Sequence, residues 1–362
     1  MTFKFRCPHC FRKIGAEEEF KGAQTDCPSC GRSIKVPEAR FGAGQNIGGF
    51  IIEQWLGNGA MGEVHLAKQA AMDRMVALKV MTHDKLSEEE DQLRFVREIH
   101  TLAKLNHPNI VSALSAGEFE GGSFLAMTYV NGITAEDKVN KEGPLPEKEA
   151  LYCCECVAEA LQYAWESGKI LHRDVKPANF MIDDSNNVLL MDMGIAKSLD
   201  SDNDITMAGM VMGTPYYMSP EQARADSNID QRSDIYSLGA SLYHMVTGIP
   251  PYNGQSSMQV MSKKLRVDPQ DPQEINPALS AHMCKIIKKL MAIDVEERPA
   301  DWEETIKLLK DTKKSGKSSK KIHLTKQLES HKSKNREKPT MPFVLVILII
   351  LVAVGAFFFF KQ

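Results

Sequence analysis

The run ILHRDVKPAN at residues 170–179 decides the fold of this chain. Two further runs follow it, LMDMG at 190–194 and GTPYYMSPE at 213–221. Two more precede it, GNGAMGEV at 57–64 and VALK at 76–79. Because all five runs keep this order in one stretch of chain, a chance occurrence of any single run cannot explain them.

The glycine-rich run at 57–64 is weak evidence by itself, because G-x-G-x-x-G also occurs in dinucleotide-binding folds and by chance. Here its glycines lie between two predicted strands, 50–55 and 63–68, whereas a dinucleotide-binding turn precedes a helix. The sequence therefore predicts a strand–turn–strand flap. Since glycine has no Cβ, the backbone N–H groups of such a flap can approach phosphate oxygens closely.

Lys79 lies in an apolar strand, where a lysine is usually a solvated edge residue. Its Val, Ala and Leu neighbours predict instead that the side chain points into a cleft and meets an anionic partner. Glu98, on a helix predicted at 87–105, is a suitable partner. Most helix glutamates are simply solvated, so this pairing depends on the combination of motifs.

The secondary structure predicted for residues 49–311 changes from mixed to helical near Gly132. Strands are predicted at 50–55, 63–68, 75–81 and 124–130, and helices at 87–105, 147–168, 233–248 and 282–294. A strand-rich front and a helical back indicate the α+β class, with two lobes.

Taken together, the five runs resemble those of a eukaryotic-type (Hanks-type) serine/threonine protein kinase of the kind found in bacteria. The resemblance covers about 260 residues, 49–311. It implies the two-lobed kinase fold, with a small β-rich N-lobe and a large helical C-lobe. It also implies transfer of the γ-phosphate of ATP to Ser and Thr hydroxyls of proteins, including autophosphorylation.

The resemblance assigns catalytic roles to residues that suit phosphoryl transfer, which depends on positioning and charge neutralisation. Asp174 would accept or orient the proton of the substrate hydroxyl. Lys176 would lie near the transferred phosphate and, with Thr214, resembles the pair that selects Ser and Thr. Lys79 would hold the α- and β-phosphates, with Glu98 fixing the lysine.

A larger set of residues would bind the nucleotide and its metal. The set is Leu56, Gly57, Gly59, Gly62, Val64, Lys79, Glu98, Thr128, Val130, Asn179 and Asp192. Asn179 and Asp192 would bind Mg²⁺ or Mn²⁺, since such hard cations prefer oxygen ligands. Met127 would face the adenine pocket, and backbone groups of Thr128 and Val130 would bind the edge of the base.

Other matches to the family imply structural roles. Glu221 and Arg298 would form a buried ion pair in the helical lobe, and Asp234 would anchor the backbone of the catalytic loop. Met193 departs from the family, which usually has Phe at this position. The position needs an apolar side chain, and Met is more pliable than Phe, so a softer balance between active and inactive states is expected.

Arg173, directly before Asp174, suggests regulation by phosphorylation, because such an arginine can bind a phosphate on the activation loop. The loop would span 195–212 and offers Ser198, Ser201 and Thr206. Thr206 is the favoured site.

Two cysteine pairs lie at the start of the chain, Cys7 with Cys10 and Cys27 with Cys30, and sixteen residues separate the pairs. This C-x₂-C…C-x₂-C spacing is typical of tetrahedral zinc, and residues 1–38 resemble a zinc ribbon. The start of the chain carries no apolar targeting segment, so thiolate ligands are expected rather than disulfides. Four thiolates fill the zinc shell, so a structural site is expected.

His9 lies between two predicted ligands and is interpreted as a bystander. Residues 39–48 form a Gly-rich connector to the kinase region. Three more cysteines, Cys153, Cys154 and Cys156, lie on the helix predicted at 147–168. Because only the first and last are spaced to share a helix face, they are interpreted as small buried residues rather than a metal or redox site.

The C-terminal part of the chain predicts a membrane anchor. Residues 343–360 are eighteen apolar or small residues without charge, enough for a helix of about 27 Å. A transmembrane helix is therefore predicted at 342–361; the alternative is a buried core helix. The linker at 312–341 is Lys- and Ser-rich and predicted to be disordered. Its basic residues predict an inner-membrane, single-pass protein whose kinase domain faces the cytoplasm.

The charge distribution argues against nucleic acid as a partner. The linker holds ten Lys or Arg and two Glu, a net charge of +8, so the remaining chain carries −11 to give the total of −3. An acidic body does not favour nucleic-acid binding. The expected partners are protein substrates and the membrane, and the resemblance is compatible with a homodimer that phosphorylates itself in trans.

Two other functions stay open. A pseudokinase scaffold would bind nucleotide and recruit partners, but Lys79, Asp174 and Asp192 are all present, which favours activity. A zinc-dependent nucleic-acid binder would need a basic, aromatic-rich ribbon. Residues 1–38 instead contain three consecutive glutamates at 17–19.

Overall fold

The structure is a computed structural model that describes part of the chain. The described residues are 2–7, 9–10, 12–17, 20–36, 40–58, 62–82, 99, 102–193 and 215–315. Several predictions fall outside them: most of the helix at 87–105, Gly59, Glu98, Thr206, Thr214, the linker beyond 315 and the transmembrane segment at 342–361.

The described strands lie mostly in the first half of the chain. They are β1 (Thr2–Arg6), β2 (Lys13–Glu17), β3 (Gln24–Asp26), β4 (Ser33–Lys35), β5 (Asn46–Ile47), β6 (Phe50–Asn58), β7 (Glu63–Gln69), β8 (Arg74–Thr82), β9 (Ala113–Phe119), β10 (Gly122–Thr128), β11 (Gly132–Thr134), β12 (Phe180–Asp183) and β13 (Val188–Leu190).

The described helices follow the strands of the large sheet. They are α1 (Ala135–Glu142), α2 (Glu147–Gly168), α3 (Pro220–Ala223), α4 (Gln231–Thr247), α5 (Ser257–Lys264), α6 (Pro272–Ile275), α7 (Ala281–Leu290) and α8 (Trp302–Ser315). Short 3₁₀ turns lie at Pro177–Asn179 and Val295–Glu297.

The first lobe is built on an antiparallel sheet with the strand order β5-β6-β7-β8-β10-β9. In β8, Val76, Leu78 and Val80 point into one apolar cluster, whereas Lys79 lies on the other face. This alternation follows from the two-residue period of a strand. The register places Val64 of β7 opposite Lys79, so the second strand of the predicted flap runs beside the lysine.

The second lobe surrounds helix α4, whose residues 233–247 are all buried. A helix buried on every side lies at the centre of a core, and α4 contacts α2, α7 and α8. The helix predicted at 233–248 begins two residues earlier in the structure, at Gln231. Asp230 caps the helix by accepting the N–H of Arg232 at 2.8 Å, which extends it to Gln231.

Helix α2 begins and ends where the sequence predicts, at Glu147 and Gly168. Cys153, Cys154 and Cys156 are buried on it, which confirms their interpretation as small core residues. Their sulfurs belong to none of the groups of potential metal ligands found among the described residues.

The predicted ion pair between Glu221 and Arg298 is present. Arg298 donates from Nη1 to Oε1 at 2.6 Å and from Nη2 to Oε2 at 2.9 Å. Its Nε donates to the carbonyl of Ala292 at 2.8 Å, and its guanidinium lies over the ring of Tyr236. Burial acts against ionisation of Glu221, but Arg298 outweighs it and lowers the pKa of the carboxyl.

Helix α8 continues to Ser315, four residues past the predicted end of the kinase region at 311. In the described part of the chain, no helix combines the length and hydropathy that a membrane crossing requires.

We expect Arg298→Ala to reduce the free energy of unfolding by about 3–5 kcal/mol, because it leaves the buried Glu221 carboxylate without its counter-charge. Chemical denaturation of the purified chain measures this. The matched control is Arg224→Ala, which breaks a pair to Asp226 between half-exposed side chains and should cost less than about 1 kcal/mol.

The difference in the free energy of unfolding between wild type and Arg298→Ala should become smaller in acid. Because the folded-state pKa of Glu221 lies below its ordinary value of 4.5, the pair stabilises the fold above that pH and is lost as the pH falls through the folded-state pKa. In the variant the unpaired carboxyl takes up a proton more readily. A difference that is constant or grows below pH 4.5 would contradict this account.

Candidate active site and metal centre

The catalytic loop is anchored to the central helix by Asp234. Its Oδ2 accepts the N–H of His172 at 2.7 Å, and its Oδ1 accepts the N–H of Arg173 at 2.8 Å. The carboxyl is buried, and this burial raises its pKa, while His172 and Arg173 act in the opposite direction. The predicted anchoring role of Asp234 is therefore confirmed.

The ring of His172 joins the two acidic segments of the site. Its Nδ1 accepts the N–H of Asp174 at 3.2 Å, so its Nε2 carries the proton that is donated to the carbonyl of Met191 at 3.0 Å. Asp192 follows Met191 directly. One buried imidazole thus fixes the spacing between the loop of Asp174 and the segment of Asp192.

Two non-glycine residues of the site have left-handed backbone conformations, Arg173 with φ of 61° and Asp192 with φ of 47°. Such conformations cost about 1–3 kcal/mol and persist only where the surroundings impose them. Here they turn the chain directly before Asp174 and at Asp192 itself.

Short contacts bring five predicted residues together, and the region that they line is called the cleft. The N–H of Met191, directly before Asp192, donates to the carbonyl of Asn179 at 2.9 Å and so joins the two acidic segments. The Nζ of Lys176 lies 2.8 Å from Oδ2 of Asp174, and the Nζ of Lys79 lies 3.6 Å from Oδ1 of Asp192. Asn179 donates from Nδ2 to the backbone carbonyl of Asp174 at 2.8 Å. This bond leaves Oδ1 of Asn179 available as an acceptor for a cation.

The donor set fits a magnesium nucleotide. Oxygen atoms of Asn179 and Asp192 suit a hard cation, and Lys79, which is only 5% exposed, brings a positive charge for phosphate oxygens. Gly62 belongs to the flap, and a Cβ there would lie 2.2 Å from the carbonyl oxygen of Val80. A side chain at this position would therefore push the flap away from β8.

The remaining predicted nucleotide ligands lie on the strands that border the cleft. Gly57 and Val64 are half-buried on β6 and β7, and Leu56 is exposed. The N–H of Thr128 donates to the carbonyl of Ser112 at 3.0 Å, so only its carbonyl could bind the base. Val130 packs against the core of the helical lobe.

Met193 is buried in the large core, with 1% of its surface exposed. The apolar environment expected for this position is therefore present. Glu98 and Thr206 lie outside the described residues, so the pairing of Lys79 with Glu98 and the regulatory site stay predictions.

The four N-terminal cysteines converge. Their sulfurs all lie within 4.8 Å of one another, with 3.8 Å between Cys7 and Cys30 and 3.8 Å between Cys10 and Cys27. Tetrahedral thiolates at a Zn–S distance of about 2.3 Å have an S···S spacing of about 3.8 Å. The arrangement therefore fits one zinc ion.

Backbone donors support thiolates in this cluster. The N–H of His9 lies 3.4 Å from Sγ of Cys7, and the N–H of Ser29 lies 3.4 Å from Sγ of Cys27. Burial opposes ionisation of Cys7, but hydrogen bonds from the backbone N–H groups of Cys10 and His9 and from the Cys27 and Cys10 side chains lower the pKa of the Cys7 thiol to about 6. The ring of His9 instead lies 3.3 Å from the carbonyl oxygen of Ser33.

Lys264 is a site residue that sequence reasoning missed. It is fully buried, and its Nζ donates to the carbonyls of Tyr216, at 3.0 Å, and of Met218, which belong to the run GTPYYMSPE. Burial lowers its pKa to about 7, with Glu221 opposing. A lysine in SKKLR is typical of a solvated surface, so the sequence held no signal for this contact.

The chain resembles known proteins over this region. A family model described as "Protein kinase domain" matches residues 50–310. The serine/threonine-protein kinase PknB of Mycobacterium tuberculosis is 43% identical over 248 residues, which is 67% of this chain and 39% of that protein. PrkC of Bacillus subtilis, also named a serine/threonine-protein kinase, is 37% identical over 69% of this chain and 38% of its own length.

A solved structure agrees with these relatives. The kinase domain of PknI from Mycobacterium tuberculosis is 29% identical and superposes with a TM-score of 0.59, covering 75% of this chain and 99% of that domain. The two-lobed architecture predicted from the sequence is therefore confirmed. This chain spans about two fifths of the length of PknB and PrkC.

Proposed function

This chain belongs to the protein kinase family, and we propose that it is an active serine/threonine protein kinase that transfers the γ-phosphate of ATP to proteins, itself included. The observation that carries the proposal is the convergence of Asp174, Lys176, Asn179, Asp192 and Lys79 in one cleft. Loss of Lys79, Asp174 or Asp192 would have favoured a scaffold.

The proposed chemistry follows from the charges of the cleft. Asp174 accepts the proton of the attacking Ser or Thr hydroxyl or orients it, and Lys176 neutralises charge on the phosphate in transfer. Lys79 holds the α- and β-phosphates. Asn179 and Asp192 would hold Mg²⁺ or Mn²⁺, which when bound shields the phosphate charge. The backbone carbonyl of Thr128 and backbone groups of Val130 would bind the adenine edge.

We expect Asp174→Asn to lower phosphate transfer by about 10²-fold or more, since it removes the group that takes the hydroxyl proton. The measurement is transfer from labelled ATP with Mg²⁺, by the full chain in detergent, to itself and to a generic basic protein. ATP binding by both forms is measured in parallel. Wild type that binds ATP but transfers nothing would support the pseudokinase scaffold instead.

The protein phosphorylated in this assay also serves to identify the regulatory site. We propose Thr206, with Arg173 as the residue that binds its phosphate. Mass spectrometry should find Thr206 modified in active protein, and Thr206→Ala should be less active. Full activity in that variant, or an unmodified Thr206, would shift the assignment to Ser198 or Ser201.

We propose that residues 1–38 form a zinc ribbon whose metal is structural. The full chain should contain one zinc ion, and Cys10→Ser should lose it, because three thiolates leave the tetrahedral shell incomplete. Elemental analysis of purified protein measures this. Cys284→Ser, which removes a cysteine far from the cluster in sequence, is the matched control, and loss of zinc from both variants would refute the assignment.

We propose that residues 342–361 anchor the chain in the inner membrane with the kinase domain in the cytoplasm, and that the basic linker binds anionic headgroups. The full chain should stay in the membrane fraction after an alkaline wash. A chain that ends at residue 341 should be released. Release of the full chain by the wash would contradict the anchor.

A further inference from the structure

Glu63 joins the cysteine module to the glycine-rich flap. It follows Gly62, the last glycine of the flap, and only 5% of its surface is exposed. Its Oε1 lies 3.1 Å from Nζ of Lys21, in the turn between β2 and β3 of the module. Its two oxygens accept the backbone N–H of Arg40 at 2.8 and 3.1 Å.

The neighbouring residues keep water away from this carboxylate. Nε2 of His65 lies 3.3 Å from Oε2 of Glu63, and His65 itself is fully buried. Phe41 of the connector packs edge-on against His65 and against Phe119, with ring centroids 6.0 and 5.8 Å apart. The connector, expected to be a simple Gly-rich link, thus covers the start of β7.

The carboxylate is held as an anion in this environment. Burial opposes its ionisation, but the nearby His65 ring and the hydrogen bonds from the Arg40 N–H and the Lys21 ammonium outweigh burial and lower the pKa of Glu63. A pair whose side chains are 21% and 6% exposed differs from a surface ion pair, which contributes little. Removal of Lys21 takes away the counter-charge of this buried carboxylate.

Glu63 lies where a shift would change nucleotide binding. In the sheet, Glu63 of β7 pairs with Asn58 of β6 on one side and with Val80 of β8 on the other. The next residue, Val64, lies opposite Lys79. Gly62 lies so close to the backbone of Val80 that a Cβ at this position would be 2.2 Å from the Val80 carbonyl oxygen. Both the base of the flap and the distance from flap to Lys79 therefore depend on where Glu63 is held.

We propose that Lys21 is a positioning residue for the nucleotide flap: through Glu63, the folded cysteine module fixes the base of the flap, at Asn58 and Glu63, and so affects how tightly ATP binds. The inference rests on the proposed kinase function, because the flap matters only if the chain uses ATP. It assigns the module a direct effect on nucleotide affinity.

The experiment is a mutant cycle on the full chain, with initial rates measured over a range of ATP concentrations. Lys21→Ala should raise KM for ATP about fivefold, as expected for loss of a hydrogen bond to a buried charge, and change kcat less than about twofold. Lys21→Arg should restore KM. Glu63→Gln should also raise KM, and adding Lys21→Ala to it should have little further effect, since the two residues act as one pair.

Arg32→Ala is the matched control, because it removes an exposed cation from the same module. Its KM should equal that of wild type. An unchanged KM in Lys21→Ala, an equal rise in Arg32→Ala, or full additivity in the double variant would overturn the inference and leave the kinase assignment intact. Absence of transfer by wild type would instead remove the proposed function on which the inference rests.

Discussion

The carboxylate of Asp234 accepts two backbone N–H groups of the catalytic loop, and the geometry of the cleft depends on these two bonds. Asp234 belongs to a helix buried along nearly its whole length, so the loop is tied to the least mobile kind of element a domain has. From there His172 carries the constraint to Met191 and so to Asp192. Both acidic residues of the cleft are thereby positioned from one helix.

The same helix also positions the run GTPYYMSPE. Tyr236, two residues after Asp234, has Arg298 and Lys264 near its ring, with the cationic groups 4.9 and 5.3 Å from the centroid. Arg298 binds Glu221 at the end of the run, and Lys264 binds backbone carbonyls in its middle. Two buried cations that converge on one aromatic ring thus fix a segment that has little regular secondary structure.

The sequence predicted those features whose signal is local or whose motif is specific. Helix α2 was predicted to the residue because its apolar positions recur at helical spacing and its ends are marked. The cysteine cluster followed from spacing, and Asp234 and the pair of Glu221 with Arg298 followed from the family resemblance. The environments of Lys264 and Glu63 could not be predicted. Both look like solvated charged residues, and each binds a partner distant in sequence, Tyr216 for Lys264 at a separation of 48 residues and Lys21 for Glu63 at a separation of 42.

The cysteines of helix α2 have a consequence for chemical targeting. A thiol attacks electrophiles as the thiolate, and burial raises the pKa of Cys153 to about 12 and that of Cys154 well above its ordinary value. Neither sulfur is nucleophilic at neutral pH. A covalent ligand with a cysteine-directed warhead would therefore gain nothing from being placed beside Cys153 or Cys154, and its selectivity there would have to come from shape and hydrogen bonding alone.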